Sequence, residues 1–166
     1  MTTRLQQGNR LLVQKRYAEA LEEFLSHARD VPGEARRALV QAAECLRRTN
    51  TLTAPIEVEP GATLISQGDR AGAEALYRKA LGIDPAYFPA LRGLAQVLPE
   101  GPAQRAVLET ALGIKLDPLL VEQLGEIYEK EGLLSEARDL YSRALEASPN
   151  DRHARGALER VKQRMS

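Results

Sequence analysis

Few side chains in this sequence could carry out chemistry, and those few stand far apart. The chain has one cysteine, Cys45, and two histidines, His27 and His153. A pair of Cys45 and His27 would be an arrangement for nucleophilic catalysis, but a cysteine at an inward helical position is more often a buried structural thiol. We expect His27 to be a neutral, hydrogen-bonded packing side chain, because a metal ion needs several converging ligands.

Two carboxylates, Glu122 and Glu126, share one face of a predicted helix, which is a first requirement for general acid and base catalysis. The sequence indicates no cleft or neighbouring charge that would tune them, so we interpret them first as surface charges. Gly61, Gly68 and Gly72 are too widely spaced for a phosphate loop, and no Lys-Ser or Lys-Thr follows them. The sequence therefore predicts no catalytic residue, no cofactor and no metal site.

Length and charge bound the class of protein. The chain has 166 residues, which is within the range of one domain with a sizeable core. Its 23 basic and 23 acidic residues cancel, so we expect no binding to nucleic acid or to an anionic membrane surface. No segment has the run of about 18 apolar residues that a membrane span requires. A lone cysteine agrees with a reducing compartment, and we expect a cytoplasmic protein.

The clearest structural pattern in the sequence lies at residues 118–151, which carry two helical apolar patterns separated by Gly132. The inward residues of the first pattern are Val121, Leu124, Gly125 and Tyr128, and those of the second are Ala137, Tyr141, Ala144 and Leu145. Small side chains stand where two helices would approach closely, and large ones stand where gaps need filling. The stretch predicts one helical hairpin that ends before Pro149.

This spacing resembles the tetratricopeptide repeat, a helical hairpin of 34 residues, with Val121 in place of the usual tryptophan. Applied along the chain, the resemblance implies repeat one at 1–34, repeat two at 35–87, a short repeat three at 88–117 and repeat four at 118–151. A polar capping helix follows at 152–166, as expected at the end of a stacked array. The implied fold is all-α, a right-handed superhelical solenoid of about four hairpins forming a single domain.

Repeat two is too long by 19 residues, because Pro32 and Pro85 are 53 residues apart. We interpret residues 49–67 as an insertion in the turn between its two helices. The alternation at Ile56 and Val58, then at Leu64 and Ile65, predicts a short β-hairpin or an ordered loop. A stub helix at 60–67 that pairs with the helix at 69–83 is the alternative. The insertion could cover an apolar surface of the array.

The resemblance also implies a concave groove, lined by the first helix of every hairpin, that holds a peptide or an amphipathic helix of a partner protein. Carried over position by position, the groove residues are Leu5, Asn9, Leu12, Leu39, Leu46, Arg47, Arg92, Gln96, Glu122, Glu126 and Arg160. Exposed leucines would line its first half. Glutamates at 122, 126 and 129 would line its second half, partly neutralised by Arg92 and Arg160.

Two functions of different class follow from this resemblance. The first is a non-catalytic adaptor that binds a segment of another protein through the groove. The second is a structural subunit or self-associating scaffold that assembles through exposed apolar surface.

Overall fold

Helices make up the described architecture. The computed structural model describes residues 3–52 and 62–166, and all regular structure within those ranges is helical. The α-helices are α1 (Arg4–Val13), α2 (Tyr17–Asp30), α3 (Ala35–Leu52), α4 (Ala62–Ile83), α5 (Phe88–Val97), α6 (Pro102–Ile114), α7 (Pro118–Lys130), α8 (Leu134–Ala147) and α9 (Arg152–Met165), and a 3-10 turn at Pro32–Glu34 precedes α3. The all-α prediction is confirmed for these ranges.

The helices form two compact units, Met1–Pro99 and Glu100–Ser166. In the first unit α1 packs on α2, α2 on α3, α3 on α4 and α4 on α5. In the second, α6 packs on α7, α7 on α8, and α8 on α9. Packing between neighbours in sequence is the arrangement expected of stacked hairpins. The single domain and the right-handed superhelix stay predictions.

The predicted insertion differs from its expected form. Residues 49–52 continue α3, and residues 62–67 form the first turns of α4. The second strand of the predicted β-hairpin, at Leu64 and Ile65, is therefore wrong, and the separate stub helix is wrong for residues 62–67. Ile56 and Val58 lie outside the described residues. The alternating apolar pattern was too short to distinguish a strand from a helix.

Two aspartates cap the N-termini of helices α7 and α9 in the second unit. Asp117 accepts hydrogen bonds from the backbone N–H groups of Leu119 and Leu120, and Pro118 occupies the first helical position of α7. Asp151 does the same for α9, accepting from the N–H groups of residues 153 and 154. These carboxylates satisfy backbone donors that a helix start leaves unpaired and also complement its dipole.

Close approach of helices depends on glycines that face aromatic rings. A Cβ placed on Gly8 would lie 2.6 Å from the Phe24 ring, and one on Gly125 would overlap the hydroxyl and ring of Tyr141. Both rings are buried, and each belongs to the second helix of the same hairpin. The missing side chain of glycine thus makes the space that the ring fills.

Two of the inter-helix turns share one backbone conformation. Gly132 has φ of 76°, and Lys15 has φ of 60° at the corresponding place after α1. Leu133 N–H donates to the Tyr128 carbonyl, and Arg16 N–H donates to the Leu11 carbonyl, the six-residue closure of a left-handed C-cap. Lys15 therefore occupies a conformation that favours glycine.

Replacing Gly125 with alanine should destabilise the second unit by about 1–3 kcal/mol, because the new methyl group overlaps the Tyr141 ring. Chemical denaturation followed by circular dichroism measures the change. Gly156→Ala is the matched control, since a Cβ there meets nothing within 4 Å, and it should stabilise α9 by about 0.5–1 kcal/mol. Equal effects of the two substitutions would contradict the packing argument.

Replacing Lys15 with glycine should stabilise the protein by about 1 kcal/mol, because it relieves the cost of a left-handed residue that bears a Cβ. The reciprocal change, Gly132→Ala, should destabilise by a similar amount for the same reason. Thermal and urea unfolding of the two variants provide the comparison. Substitutions that shift stability in the same direction would show that the turns are not equivalent.

Candidate functional site

Two leucines of the apolar half of the predicted groove are buried. Leu5 is only 8% exposed and belongs to a core cluster that includes Phe24 and Cys45. Leu39 is 3% exposed. Burial of a large apolar side chain is favourable by about 1.5–3 kcal/mol, so both side chains contribute to core packing.

The other predicted groove residues of the first unit have mixed surroundings. Asn9 and Arg92 are exposed, whereas Leu12, Leu46, Arg47 and Gln96 are half-buried. Leu12 packs against the core cluster that contains Leu5. The Arg47 guanidinium donates two hydrogen bonds of 2.8 Å to the Glu44 carboxylate. Much of this set therefore takes part in internal packing and pairing.

In the second unit the predicted residues Glu122, Glu126 and Arg160 line one groove. It lies between α7 and α9 and has a volume of about 370 Å³. We call it the α7/α9 groove, and its lining is Pro118, Leu119, Val121, Glu122, Glu126, Tyr141, Asp151, His153, Ala154, Ala157 and Arg160. The buried side chains of Val121, Ala154 and Ala157 contribute its apolar part, and exposed charged side chains stand on both helices.

A carboxylate with two arginines joins α7 to α9 beside this groove. The Arg160 guanidinium donates to Glu129 Oε1 at 2.8 Å and to Oε2 at 3.1 Å. Arg164 donates to Glu129 Oε2 at 3.1 Å and to the Glu129 carbonyl at 3.2 Å. The Tyr141 hydroxyl donates to Oε1 at 3.2 Å. The predicted pairing of Arg160 with the glutamate stripe is present, and it uses the glutamate that is only 9% exposed.

These contacts shift the pKa values of Glu129 and Tyr141. Hydrogen bonding from Arg160 lowers the pKa of the Glu129 carboxyl, against the opposing effect of its burial. Burial raises the pKa of the Tyr141 hydroxyl, and the Glu129 charge raises it further. Glu129 is therefore ionised and Tyr141 neutral at pH 7, the states in which carboxylate and hydroxyl can share a hydrogen bond.

The remaining carboxylates of the stripe are available. Glu122 and Glu126 are exposed and form no hydrogen bond or salt bridge with the residues that the structure describes. Arg160 faces the same groove and pairs with Glu129, which Arg164 also contacts, and the charges of Arg160 and Glu126 attract each other. The α7/α9 groove thus offers two exposed carboxylates, which form no salt bridge with described residues, beside an apolar surface.

Sequence reasoning missed several lining residues of the α7/α9 groove. Leu119 is 40% exposed at its edge, and Tyr141 and Ala157 contribute buried surface. Leu119 follows the Pro118 that starts α7, so its position on the first turn was a usable signal. Tyr141 was recognised only as a residue that fills the hairpin, because its hydrogen bond to Glu129 and its place in the groove depend on tertiary packing.

The two other candidates for chemistry are structural. Cys45 is fully buried, and burial raises its pKa to about 12, so it is a neutral thiol at pH 7. His27 is 6% exposed, and its Nε2 lies 2.9 Å from Glu34 Oε2, as expected for a hydrogen-bonded packing histidine. Within residues 3–52 and 62–166, no cluster of three or more His, Cys, Asp and Glu side chains could hold a metal ion. None of the helices in the same ranges combines the length and apolarity of a membrane span.

Comparison with protein families supports the repeat assignment. Two family models described as tetratricopeptide repeat match the chain, one at residues 103–152 and one at residues 61–87. The first match contains α7, α8 and most of α6, and the second contains α4.

The chain is also similar to individual proteins. It is 32% identical over 158 residues to cellulose synthase operon protein C of Pseudomonas fluorescens (strain SBW25), a match that covers 83% of this chain and spans only 12% of that protein's length. A thermophilic tetratricopeptide repeat protein of Thermus thermophilus aligns with a TM-score of 0.49 and 24% identity, over 96% of this chain and 97% of that one. The first tetratricopeptide repeat domain of Spaghetti, bound to an HSP90 peptide, aligns with a TM-score of 0.43 and 18% identity, over 98% and 92%.

Replacing Glu129 with glutamine should destabilise the second unit by about 1–2 kcal/mol at pH 7, because Arg160 and Arg164 lose a charged acceptor. A folded-state pKa below the unfolded value of about 4.3 adds stability above that pH, and the addition is lost as pH falls through the folded pKa. The difference between wild type and variant should therefore be constant near neutrality and shrink in acid.

Urea unfolding at a series of pH values measures this difference. Glu146→Gln is the control, because Glu146 is exposed on α8 and forms no hydrogen bond or salt bridge with described residues. It should change stability by less than about 0.5 kcal/mol at every pH. A Glu129→Gln effect that does not depend on pH would refute the ionic contribution.

Proposed function

Because the chain belongs to the tetratricopeptide repeat family, whose repeats are protein-interaction modules, we propose that it is a non-catalytic adaptor that binds a segment of a partner protein. We assign the binding site to the α7/α9 groove. The observation that carries this assignment is that two exposed carboxylates, Glu122 and Glu126, form no salt bridge with described residues and lie beside apolar surface between α7 and α9.

The charges of the groove define the segment it accepts. Glu122 and Glu126 are four residues apart on α7, so both carboxylates face the same side of the helix. A lysine or arginine of the partner would lie between them, and a neighbouring apolar side chain would contact Leu119, Val121 and Ala154. A volume of about 370 Å³ suits one such pair of side chains rather than a whole helix. The partner segment is therefore a basic, apolar stretch of chain.

Self-assembly is the alternative function, and it would require exposed apolar surface rather than a charged groove. A scaffold of this chain would use exposed apolar side chains such as Val13, which is 86% exposed on α1. The adaptor is favoured because the α7/α9 groove joins apolar surface to two carboxylates that form no salt bridge with described residues, whereas Val13 is a single exposed apolar side chain, which is normal on a protein surface. Size-exclusion chromatography with light scattering distinguishes the two, since the adaptor alone is a monomer.

Reversal of the groove charges should abolish binding of a basic segment. We expect a fluorescein-labelled synthetic peptide with two arginines and two leucines to bind the wild type, and the double variant Glu122→Lys with Glu126→Lys to bind at least about tenfold more weakly. Fluorescence anisotropy at low and physiological salt measures the affinity, which should fall as salt rises.

The matched control is Glu146→Lys with Glu136→Lys, which makes the same change in charge on the exposed face of α8. Neither residue lines the α7/α9 groove, so the affinity should stay within about twofold of wild type after the general charge effect is corrected. Equal losses in both double variants would mean that net charge attracts the peptide and would remove the assignment of the groove.

A further inference from the structure

A second groove lies in the first unit, on different helices. It is formed by the C-terminal turns of α2 and α4 together with the first turns of α3, and its volume is about 320 Å³. We call it the α2/α4 groove, and its lining is Leu25, Ala28, Arg29, Ala35, Leu39, Lys79 and Ile83. Two of its three helices are the second helices of their hairpins, and of the groove residues predicted from the resemblance it contains only Leu39.

The floor of the α2/α4 groove is apolar. Leu39 and Ala35 are buried, and Leu25 and Ala28 are half-buried. Ile83 stands beside them with 51% of its surface exposed, at the last residue of α4. Covering this exposed isoleucine and the apolar floor beside it with an apolar group of a ligand is favourable, because it removes apolar surface from water.

The rim of the α2/α4 groove is basic. Arg29 and Lys79 are exposed, and neither forms a salt bridge with the described residues. Arg29 donates only a hydrogen bond of 3.3 Å to the Ser26 hydroxyl. An apolar floor with two unneutralised cations complements an apolar ligand that carries negative charge.

The acidic side chains next to this rim are already engaged. Asp30 pairs with Arg4 at 3.2 Å, and Asp84 pairs with Arg36 at 3.1 Å. Glu34 contacts the buried His27. The neighbouring carboxylates therefore satisfy other partners, and the two rim cations are left for a ligand.

We propose that the α2/α4 groove docks an acidic, apolar segment of a partner protein. One or two large apolar side chains of that segment lie against Leu25, Leu39 and Ile83, and its Asp or Glu carboxylates pair with Arg29 and Lys79. The charge preference is opposite to that of the α7/α9 groove, so the chain presents two docking surfaces for segments of opposite charge. This second site does not depend on the first.

A structural role for the two cations makes a different prediction. Arg29 lies in the last turn of α2, where positive charge complements the helix dipole. That role affects stability and leaves peptide affinity unchanged. The test must therefore read binding and unfolding separately.

Two synthetic peptides with the same leucine and phenylalanine residues form the probe, one carrying aspartate and glutamate and the other carrying lysine in their place. In titrations of the ¹⁵N-labelled full chain, the acidic peptide should shift the backbone amide signals of Leu25, Ala28, Leu39 and Ile83. Lys79→Glu with Arg29→Glu should weaken its binding at least about tenfold and leave the circular dichroism spectrum unchanged. The lysine peptide should not shift those signals.

Arg10→Glu with Arg152→Glu is the control for net charge, because both residues are exposed and neither lines the α2/α4 groove. It should keep at least about half of the affinity for the acidic peptide after correction for net charge. The proposal is overturned if neither peptide binds, if both bind alike, if the shifts map elsewhere, or if the control loses as much affinity. A dimer that Ile83→Lys dissociates would identify a second copy as the occupant and would also overturn it.

Discussion

The contact between a glycine and an aromatic ring sets how closely the helices of this protein approach one another. Gly8 faces Phe24, Gly93 faces Tyr77 and Gly125 faces Tyr141, and in each pair a Cβ on the glycine would overlap the ring. The ring fills space that only a missing side chain leaves open, so helix separation and ring position determine each other. The geometry of the α7/α9 groove depends on this separation, because Gly125 lies on α7 and Tyr141 lines the groove.

The three pairs do not all lie within one hairpin. Tyr77 on α4 contacts Gly93 on α5, and the first helix of its own hairpin, α3, has Ala42 at the position that Gly8 and Gly125 occupy. The ring therefore joins its hairpin to the next helix. Tyr141 has three roles at once, because it packs on Gly125, lines the α7/α9 groove and donates to Glu129. Core packing and the candidate binding surface share this side chain.

Periodicity was enough to predict the helices, because apolar residues that recur about every 3.6 residues form a stripe on one side of a helix, and that side must be buried. The short repeat three predicted at 88–117 contains two observed helices, Phe88–Val97 and Pro102–Ile114. The predicted groove residues differ in exposure, and residue type explains the difference. Glu122 and Arg160 must face water whatever the exact register, whereas Leu5 and Leu39 gain more from the core. The α2/α4 groove was missed because three helices contribute to it. The sequence pattern of one helix does not show which residues of other helices lie beside it.

Because α9 forms one side of the α7/α9 groove, transient separation of α9 from α7 lowers the affinity of the groove for a ligand. This helix supplies one wall of the α7/α9 groove and is held to α7 through Glu129. When α9 separates transiently, the groove ceases to exist, so the apparent affinity equals the intrinsic affinity multiplied by the fraction of molecules in which α9 is docked. A bound segment in turn slows amide hydrogen exchange across α9, including residues that the segment never contacts. Exchange rates in α9 would therefore report occupancy of the groove.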